Sequence, residues 1–214
     1  GTREGGMLFA AITGEHVDGH TFVRQAVEAG ARVVLAEKKT EGIDATQVIV
    51  PDIREALSRV SDIFYGEPSK RLTLIGVTGT NGKSTTKEMI ASICGVKFKT
   101  LKTMGNFNNH IGLPLTLLEL ETMHKIAVLE MGMSAAGEIR RLAEIAEPNV
   151  GVITNISAAH LVQLKTIKNV QKAKGELFEA LNERGTAIVN ADDPLILELA
   201  QSLRARRVTF GIDN

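Results

Sequence analysis

The sequence contains very little cysteine and no tryptophan: its 214 residues include one cysteine, Cys94, and aromatic residues make up only 4%. A single cysteine cannot form a disulfide within the chain, and no Cys and His residues have the spacing of a zinc site. We therefore expect a protein of a reducing, cytoplasmic compartment. The scarcity of aromatic side chains argues against a stacking surface for single-stranded nucleic acid.

An excess of one charge and a long apolar run are also missing. Lys and Arg number 25, and Asp and Glu also number 25, so the formal net charge is zero. Without a positive field, a chain does not hold nucleic acid or an anionic membrane by nonspecific attraction. No apolar stretch approaches the ~18 residues of a transmembrane helix. We predict no nucleic-acid partner and no membrane contact, so any anionic ligand must be bound locally.

Short apolar runs alternate with segments of helical periodicity along nearly the whole chain. This alternation is typical of α/β proteins with parallel sheets. Hydrophobic residues at 43% and charged residues at 23% are those of an ordinary globular chain. The predicted strands are residues 7–12, 33–36, 48–50, 72–77, 126–131, 150–154, 187–190 and 208–210. From residue 72 onward we expect a doubly wound, mainly parallel sheet with its ligand crevice at the carboxyl ends of the strands.

Turn-forming residues divide the chain into two predicted domains. Residues 66–70 (GEPSK) lie between an amphipathic helix and a new apolar strand, which is typical of a boundary. The length also suggests roughly one and a half domains at about 150 residues each. We predict a small α/β domain at 1–68 and a larger one at 69–214. In the first, a helix over 21–29 is expected to end at Gly30, and Asp52 to cap the next helix.

The strongest motif is a glycine-rich turn between a predicted strand and a predicted helix. Residues 78–86 read TGTNGKSTT directly after the apolar run 72–77. In this arrangement backbone N–H groups and a helix N-terminus bind phosphate, and a lysine contacts the outer phosphates. Val77 stands where the standard motif has glycine, so the loop is a variant. The predicted nucleotide contacts are Thr78, Gly79, Thr80, Asn81, Gly82, Lys83, Ser84 and Thr85.

A carboxylate at the end of a neighbouring strand would complete a magnesium site beside this loop. Ser84 is placed to bind the ion, and Glu130 ends the apolar run 125–129. The alternative for Glu130 is an ordinary glutamate at the end of a strand. Ser134 lacks the spacing of a nucleophile turn and is predicted to cap a helix that runs through Ile139 and Leu142.

Four segments together resemble the Mur ligases and, more distantly, the folylpolyglutamate synthetases. The segments are residues 79–84 (GTNGKS), 105–116 (GNFNNHIGLPLT), 129–134 (LEMGMS) followed by Gly137-Glu138-Ile139, and 154–160 (TNISAAH). The asparagine-rich segment discriminates best and resembles the branch that joins D-alanyl-D-alanine to UDP-N-acetylmuramoyl-tripeptide. The resemblance spans nearly the whole chain and includes residues 8–11 and 18–20 of the first domain.

The resemblance implies an ATP-dependent amide ligase of peptidoglycan synthesis that works through an acyl phosphate. Its implied partners are UDP-N-acetylmuramoyl-tripeptide and D-alanyl-D-alanine, and its cofactors are ATP and two Mg²⁺ ions. The first domain would bind the UDP substrate, the second would be the central ATPase domain, and the full-length enzyme would be a monomer. The family contacts to ribose, adenine and the amine lie beyond Asn214, so this chain alone is expected to bind ATP weakly and not to ligate.

The resemblance also implies roles for single residues. Lys83 would contact the β- and γ-phosphates, Ser84 and Glu130 would hold one magnesium, and His160 would serve the second. Lys174 matches the lysine that the family carbamylates with CO₂. From the residues alone, His160 fits a structural hydrogen-bonding role, and Lys174 fits a solvated helix lysine paired with a neighbouring acid.

Further residues match the family at the substrate and the nucleotide. Thr2 and Arg3 resemble the end of a segment that contacts the UDP group, although Gly1 replaces its aspartate and an exposed terminal arginine is the alternative. Asn108 and Asn109 are expected at the junction of nucleotide and substrate, and Asn190 near ATP. Residues 161–166 lack the usual glycine-serine turn.

Two other functions stay open. One is a ligase of the folylpolyglutamate type, although that family begins close to its ATP loop, whereas about seventy residues precede it here. The other is a non-catalytic nucleotide-binding module, which would need neither a second metal site nor a carbamate.

Overall fold

The computed structural model describes residues 6–14, 17–65 and 72–213. The chain forms two compact units, residues 1–60 and 61–214. The boundary predicted between residues 68 and 69 lies outside the described residues. No helix within the described ranges is both long and apolar enough to span a bilayer.

The first unit contains a three-stranded parallel sheet in the order β1-β2-β3. Its elements are β1 (Met7–Ala10), a 3₁₀ turn (Gly19–Phe22), α1 (Val23–Glu28), β2 (Ala31–Ala36) and β3 (Thr46–Ile49), and α2 (Ile53–Tyr65) follows. Gly30 adopts a φ of 105°, which only glycine takes readily, as predicted at the end of α1. The Asp52 carboxylate accepts from the N–H groups of Arg54 and Glu55, at 2.8 and 2.9 Å, which confirms the predicted cap.

The second unit is built on a six-stranded parallel sheet in the order β5-β6-β4-β7-β8-β9. Its elements are β4 (Thr73–Thr78), α3 (Lys83–Gly95), β5 (Thr100–Lys102), α4 (Gly112–Leu117), β6 (Ile126–Glu130), α5 (Glu138–Ala146), β7 (Val150–Ile153), α6 (Leu161–Leu164), α7 (Ile167–Glu179), β8 (Thr186–Asn190), α8 (Pro194–Ala200) and β9 (Arg206–Phe210). The parallel, doubly wound arrangement expected from the sequence is confirmed.

Successive residues of β4 contact different layers of the unit. Leu74 packs into a core that includes Leu177 of α7, while Ile75 packs into a separate core that includes Ala91 of α3. This follows from the two-residue period of a strand and places helices on both faces of the sheet. Apolar runs without alternation, such as residues 72–77, are the sequence pattern of strands buried on both sides.

The order of the strands reverses at β4. The chain passes from β4 to β5 and β6 on one side, and then crosses to β7, β8 and β9 on the other. Crossovers that leave a strand in opposite directions open a crevice at its carboxyl end, and this is where ligands bind in such sheets. Strand β5 was not predicted, because its three residues contain one apolar side chain and lie at the edge of the sheet.

The prediction that Ser134 caps a helix is wrong. Helix α5 begins at Glu138 after Gly137, which has a φ of 86°, and no side chain of the N-cap residue bonds to the helix. The Glu176 carboxylate of α7 caps α5 instead, since it accepts from the N–H groups of Gly137 and Arg140 at 2.8 and 3.0 Å. Glu176 is buried, so this cap ties α5 to the helix that carries Lys174.

We predict that Glu176→Ala lowers the free energy of unfolding by about 1–2 kcal/mol, because two N–H groups at the start of α5 lose the carboxylate that caps them. Glu179→Ala is the matched control. Glu179 forms an exposed ion pair with Arg140, and the loss of such a pair costs about 0.5 kcal/mol. Urea unfolding of both variants measures the difference, and equal losses would show that Glu176 does not cap α5.

Candidate active site

The turn between β4 and α3 contains two positive φ angles, which favour glycine. Gly79 adopts a φ of 148° and Gly82 a φ of 78°. A methyl group at Gly79 would overlap the hydroxyl oxygen of Thr154. The turn therefore requires glycine at position 79 both for its backbone angle and for its close approach to the end of β7.

The segment that leaves β7 holds the turn in place through side chains and backbone. The Thr154 hydroxyl donates to the Asn81 carbonyl at 2.6 Å, and the Asn155 side-chain amide donates to the same carbonyl at 3.0 Å. In return, the Asn81 N–H donates to Asn155 Oδ1 at 3.0 Å, and the Thr80 N–H to the Asn155 carbonyl at 2.9 Å. We call this set of contacts, made by Thr80 and Asn81 with Thr154 and Asn155, the loop clamp.

Lys83 folds back over the turn. Its Nζ donates to the carbonyls of Gly79 and Thr80, at 3.0 and 3.1 Å. Ser84 and Thr85 are exposed in the first turn of α3, where the N–H groups of a helix have no partner within the helix. A helix N-terminus, a glycine turn and an ammonium group together favour a bound phosphate.

Two residues predicted to contact ATP use their side chains within the protein. Thr78 is fully buried, and its hydroxyl donates to the Met131 carbonyl at 2.8 Å. The Asn190 amide donates to the Thr154 carbonyl at 2.9 Å, and its oxygen accepts from the Asp192 N–H at 3.0 Å. Both side chains therefore support the strands around the loop.

Glu130 lies at the carboxyl end of β6, beside Val77 of β4. Glu130 is 2% exposed, and its Oε1 accepts from the Asn108 amide at 2.9 Å. Its other oxygen, Oε2, is buried without a hydrogen-bond partner in the part of the chain that the structure describes. An open carboxylate oxygen is the type of ligand that Mg²⁺ prefers.

Sequence reasoning missed the lysine beside this carboxylate. Lys87 is 2% exposed, and its Nζ lies 3.8 Å from Glu130 Oε2. The one available signal was its position four residues after Lys83, which places both on one face of α3. Helical spacing alone does not reveal that such a lysine is buried.

The two asparagines of the 105–116 segment have different surroundings. Asn108 contacts Glu130, as described above. The Asn109 side-chain oxygen accepts from the N–H groups of Ile111 and Gly112 at 3.1 and 2.9 Å, and so it supports the start of α4. Thr2 and Arg3 lie outside the described residues.

Lys174 is buried on α7 at 2% exposure. Burial, together with the positive charge of Lys83, lowers the pKa of Lys174 from 10.5 to about 8. The Coulombic effect of Lys83 indicates that the two ammonium groups lie near each other. The exposed, acid-paired lysine considered in the sequence analysis is not what the structure shows.

His160 precedes α6 in the left-handed region, with a φ of 55°, and its side chain is exposed. Lys165, at the other end of α6, has a φ of 66°. Two non-glycine residues, one at each end of α6, thus adopt backbone angles that favour glycine. In the described ranges, no three His, Cys, Asp or Glu side chains gather in a group that could hold a metal ion.

A cavity of about 930 Å³ lies between α5 and α7, away from this site. Asn149 and Gly185 line it, and they precede β7 and β8. In a parallel sheet the amino ends of the strands lie at the edge opposite the carboxyl ends. The cavity is therefore separate from the phosphate loop.

Comparison with known families identifies this arrangement. A family model described as the Mur ligase middle domain matches residues 77–214, and one described as the Mur ligase family, catalytic domain, matches residues 3–65. The chain belongs to the Mur ligase family. As a Mur ligase, it carries the phosphate loop, Glu130, His160 and Lys174 within the middle-domain match.

Among curated relatives, the UDP-N-acetylmuramoyl-tripeptide–D-alanyl-D-alanine ligase of Bacillus subtilis is 43% identical over 97% of this chain and 45% of its own. The MurF ligase of Thermotoga maritima, solved with ADP, matches with a TM-score of 0.89 and 34% identity over 98% of this chain and 48% of its own. The structure of MurF from Acinetobacter baumannii matches with a TM-score of 0.88 and 37% identity, over 95% of this chain and 45% of its own. The chain thus spans less than half the length of these relatives.

We predict that Lys174→Met is more stable than the unaltered chain at pH 7, because a buried ammonium with this pKa shift costs on the order of 3 kcal/mol. Between about pH 8 and 10.5 the unfolded chain keeps the Lys174 proton and the folded chain does not. The unaltered chain therefore gains stability as the pH rises, and the difference in the free energy of unfolding between it and Lys174→Met becomes smaller.

Urea unfolding in CO₂-free buffer at pH 7 and 9.5 measures this difference. Lys172→Met, which changes an exposed lysine, is the control. A difference that does not change with pH would contradict the shift.

Proposed function

We propose that the chain is part of an ATP-dependent ligase that joins D-alanyl-D-alanine to UDP-N-acetylmuramoyl-tripeptide. The observation that carries this proposal is the 43% identity, along 97% of the chain, to a relative named for that reaction. Resemblance to the E. coli FolC structure, at 18% identity, concerns the fold alone and does not favour a folate-type ligase. The burial and lowered pKa of Lys174 favour catalysis over a module that only binds a nucleotide, because such a module would need no carbamate.

The reaction needs an activated carboxylate. A carboxylate is a poor electrophile because it is anionic and has no leaving group. One carboxylate oxygen of the peptide attacks the γ-phosphorus of ATP, which releases ADP and forms an acyl phosphate. The amine of D-alanyl-D-alanine then attacks the acyl carbon through a tetrahedral intermediate, loses a proton, and expels phosphate. Positioning and charge neutralisation supply most of the catalysis.

The phosphate loop performs the positioning in this scheme. Lys83 exchanges its bonds to the Gly79 and Thr80 carbonyls for oxygens of the β- and γ-phosphates. The N–H groups at the start of α3 bind the same phosphates. We also propose that Asn190 lies near the nucleotide and that Asn108 and Asn109 lie near the junction of nucleotide and substrate.

Mg²⁺ fits the residues at this site, because Glu130 offers a buried carboxylate oxygen without a partner and Ser84 an exposed hydroxyl. When bound, the ion would neutralise charge on the transferred phosphoryl group. We propose that Ser84 and Glu130 hold one ion and that His160 and Lys174 serve a second.

The lowered pKa of Lys174 supports its carbamylation. A neutral amine reacts with CO₂ to form a carbamate and a proton, and a pKa of about 8 leaves a sizeable neutral fraction at pH 7.5. The carbamate replaces an ammonium, which metal ions and Lys83 repel, with an anion that they attract.

We also propose that the first unit binds the UDP group, with Thr2 and Arg3 among its contacts. Arginine suits a diphosphate because its planar fork donates two parallel hydrogen bonds. We further propose a cytoplasmic, monomeric enzyme.

Phosphate release from a form extended to the length of the relatives tests the function. We expect release that requires ATP, UDP-N-acetylmuramoyl-tripeptide and D-alanyl-D-alanine together. Lys83→Met should reduce the rate by about 10³-fold or more, since one charged donor to a transition state contributes ~4 kcal/mol. Lys172→Met, which changes an exposed lysine, should retain the rate.

The same assay tests Lys174. Activity of Lys174→Ala should return in part when a small carboxylate such as acetate is added, and the unaltered enzyme should slow when bicarbonate is removed. Phosphate release at the same rate with and without D-alanyl-D-alanine would overturn the proposed function. An unchanged rate of phosphate release for Lys83→Met would overturn it as well.

A further inference from the structure

Lys87 is a buried ammonium group with no place in the mechanism above. It lies on α3, one turn after Lys83, and its side chain is 2% exposed. Its Nζ donates to the Thr103 carbonyl at 2.8 Å and lies 3.2 Å from Glu88 Oε1. Burial of a charge costs free energy unless nearby groups compensate it. The groups around Lys87 Nζ therefore indicate what its charge is for.

The distance from Lys87 Nζ to the Glu130 carboxylate indicates the role of Lys87. Nζ lies 3.8 Å from Glu130 Oε2, which is close enough for charge compensation and too long for a hydrogen bond. Other groups fix the rest of Glu130: Asn108 donates to Oε1 at 2.9 Å, and the Glu130 N–H donates to Thr103 Oγ1 at 3.0 Å. The carboxylate is thus positioned and neutralised, while Oε2 keeps its lone pairs.

We infer that Lys87 is the internal counter-ion of Glu130, a positioning residue that stabilises the site without metal and weakens binding of a divalent cation alone. This inference rests on the metal role proposed for Glu130. Without Lys87, a buried carboxylate has no compensating charge until a cation binds. With Lys87, an incoming cation must overcome repulsion from a fixed positive charge a few ångströms away.

A consequence concerns the order of binding. The phosphates of a nucleotide add negative charge beside Glu130 and offset the repulsion between Lys87 and the cation. The cation therefore binds as a complex with the nucleotide. This limits futile occupation of the site by a cation alone.

An ordinary structural ion pair predicts the opposite effect of removing Lys87. If Lys87 only braced Glu130 against Thr103, its loss would misplace the carboxylate and weaken metal binding. If Lys87 is a counter-ion, its loss strengthens metal binding while it destabilises the metal-free chain. The sign of the change therefore separates the two roles.

The test measures Mn²⁺ binding by electron paramagnetic resonance, without nucleotide, on the 214-residue chain. Lys87→Met removes the charge at similar volume. We expect its melting temperature without metal to fall and its affinity for Mn²⁺ to rise by roughly tenfold, the order expected from removing one nearby charge. Lys87→Gln is a second uncharged variant that can still donate to the Thr103 carbonyl, and it should bind Mn²⁺ more tightly as well.

Lys102→Met is the matched control, because Lys102 pairs with Glu88 and is partly exposed. Its Mn²⁺ affinity should stay within about twofold of the unaltered chain, because water screens an exposed charge. In Glu130→Gln, addition of Lys87→Met should give no gain in Mn²⁺ affinity. The unaltered chain should bind Mn²⁺ at least roughly tenfold more tightly with a non-hydrolysable ATP analogue than without it.

Unchanged or weaker Mn²⁺ binding by both Lys87 variants would overturn the counter-ion role alone, provided that Glu130→Gln still abolishes binding. Equal Mn²⁺ affinity with and without the analogue would also overturn it. Mn²⁺ binding that is unaffected by Glu130→Gln would overturn both the metal role of Glu130 and this inference.

Discussion

The loop clamp is the constraint on which the rest of the site depends. A phosphate loop works only if its N–H groups point to one place before the nucleotide arrives, because ordering them during binding would cost affinity. In this chain a neighbouring strand supplies the order: Thr154 and Asn155, at the exit of β7, hold Asn81 from two sides. The close approach at Gly79 brings the two segments together.

Two polar side chains near the loop bond to the segment that leaves β7. Asn190 donates to the Thr154 carbonyl, and the Asp193 carboxylate accepts from the Ile156 N–H at 2.7 Å. Each of these bonds positions the segment after β7, which in turn contacts the phosphate loop. A polar residue near the loop, such as Asn190, can therefore support the nucleotide site through the backbone without contacting a nucleotide.

A few charged groups that lie close together determine the electrostatics of this site. Burial of Lys174, together with the positive charge of Lys83, lowers the pKa of Lys174. On the other side, Lys87 compensates Glu130. The first pair favours an anionic ligand or modification, and the second keeps a carboxylate ready for a cation. A chain with zero net charge can in this way offer local sites for anionic ligands.

The sequence was most informative where periodicity and glycine chemistry act locally. Unbroken apolar runs predicted the central strands, and Gly30 and Asp52 marked helix ends. It failed where a distant residue decides the outcome: Glu176, 39 positions along the chain from Gly137, caps α5 in place of Ser134. Strand β5 has too few apolar residues to be recognised, and the burial of Lys87 depends on packing between α3 and the loop after β5. Pairings of this kind arise from the fold and leave no local pattern.

Nucleotide affinity in two variants of Thr154 tests the central claim, that the exit of β7 gives the phosphate loop its binding shape. Thr154→Val keeps the volume and removes the hydroxyl, whereas Thr154→Ser keeps the hydroxyl. Calorimetric titration with ATP should show Thr154→Val binding roughly five- to tenfold more weakly, as expected for one lost hydrogen bond. Thr154→Ser should bind within about twofold of the unaltered chain, because the donor is retained. Equal affinity for ATP in the two variants would contradict the claim.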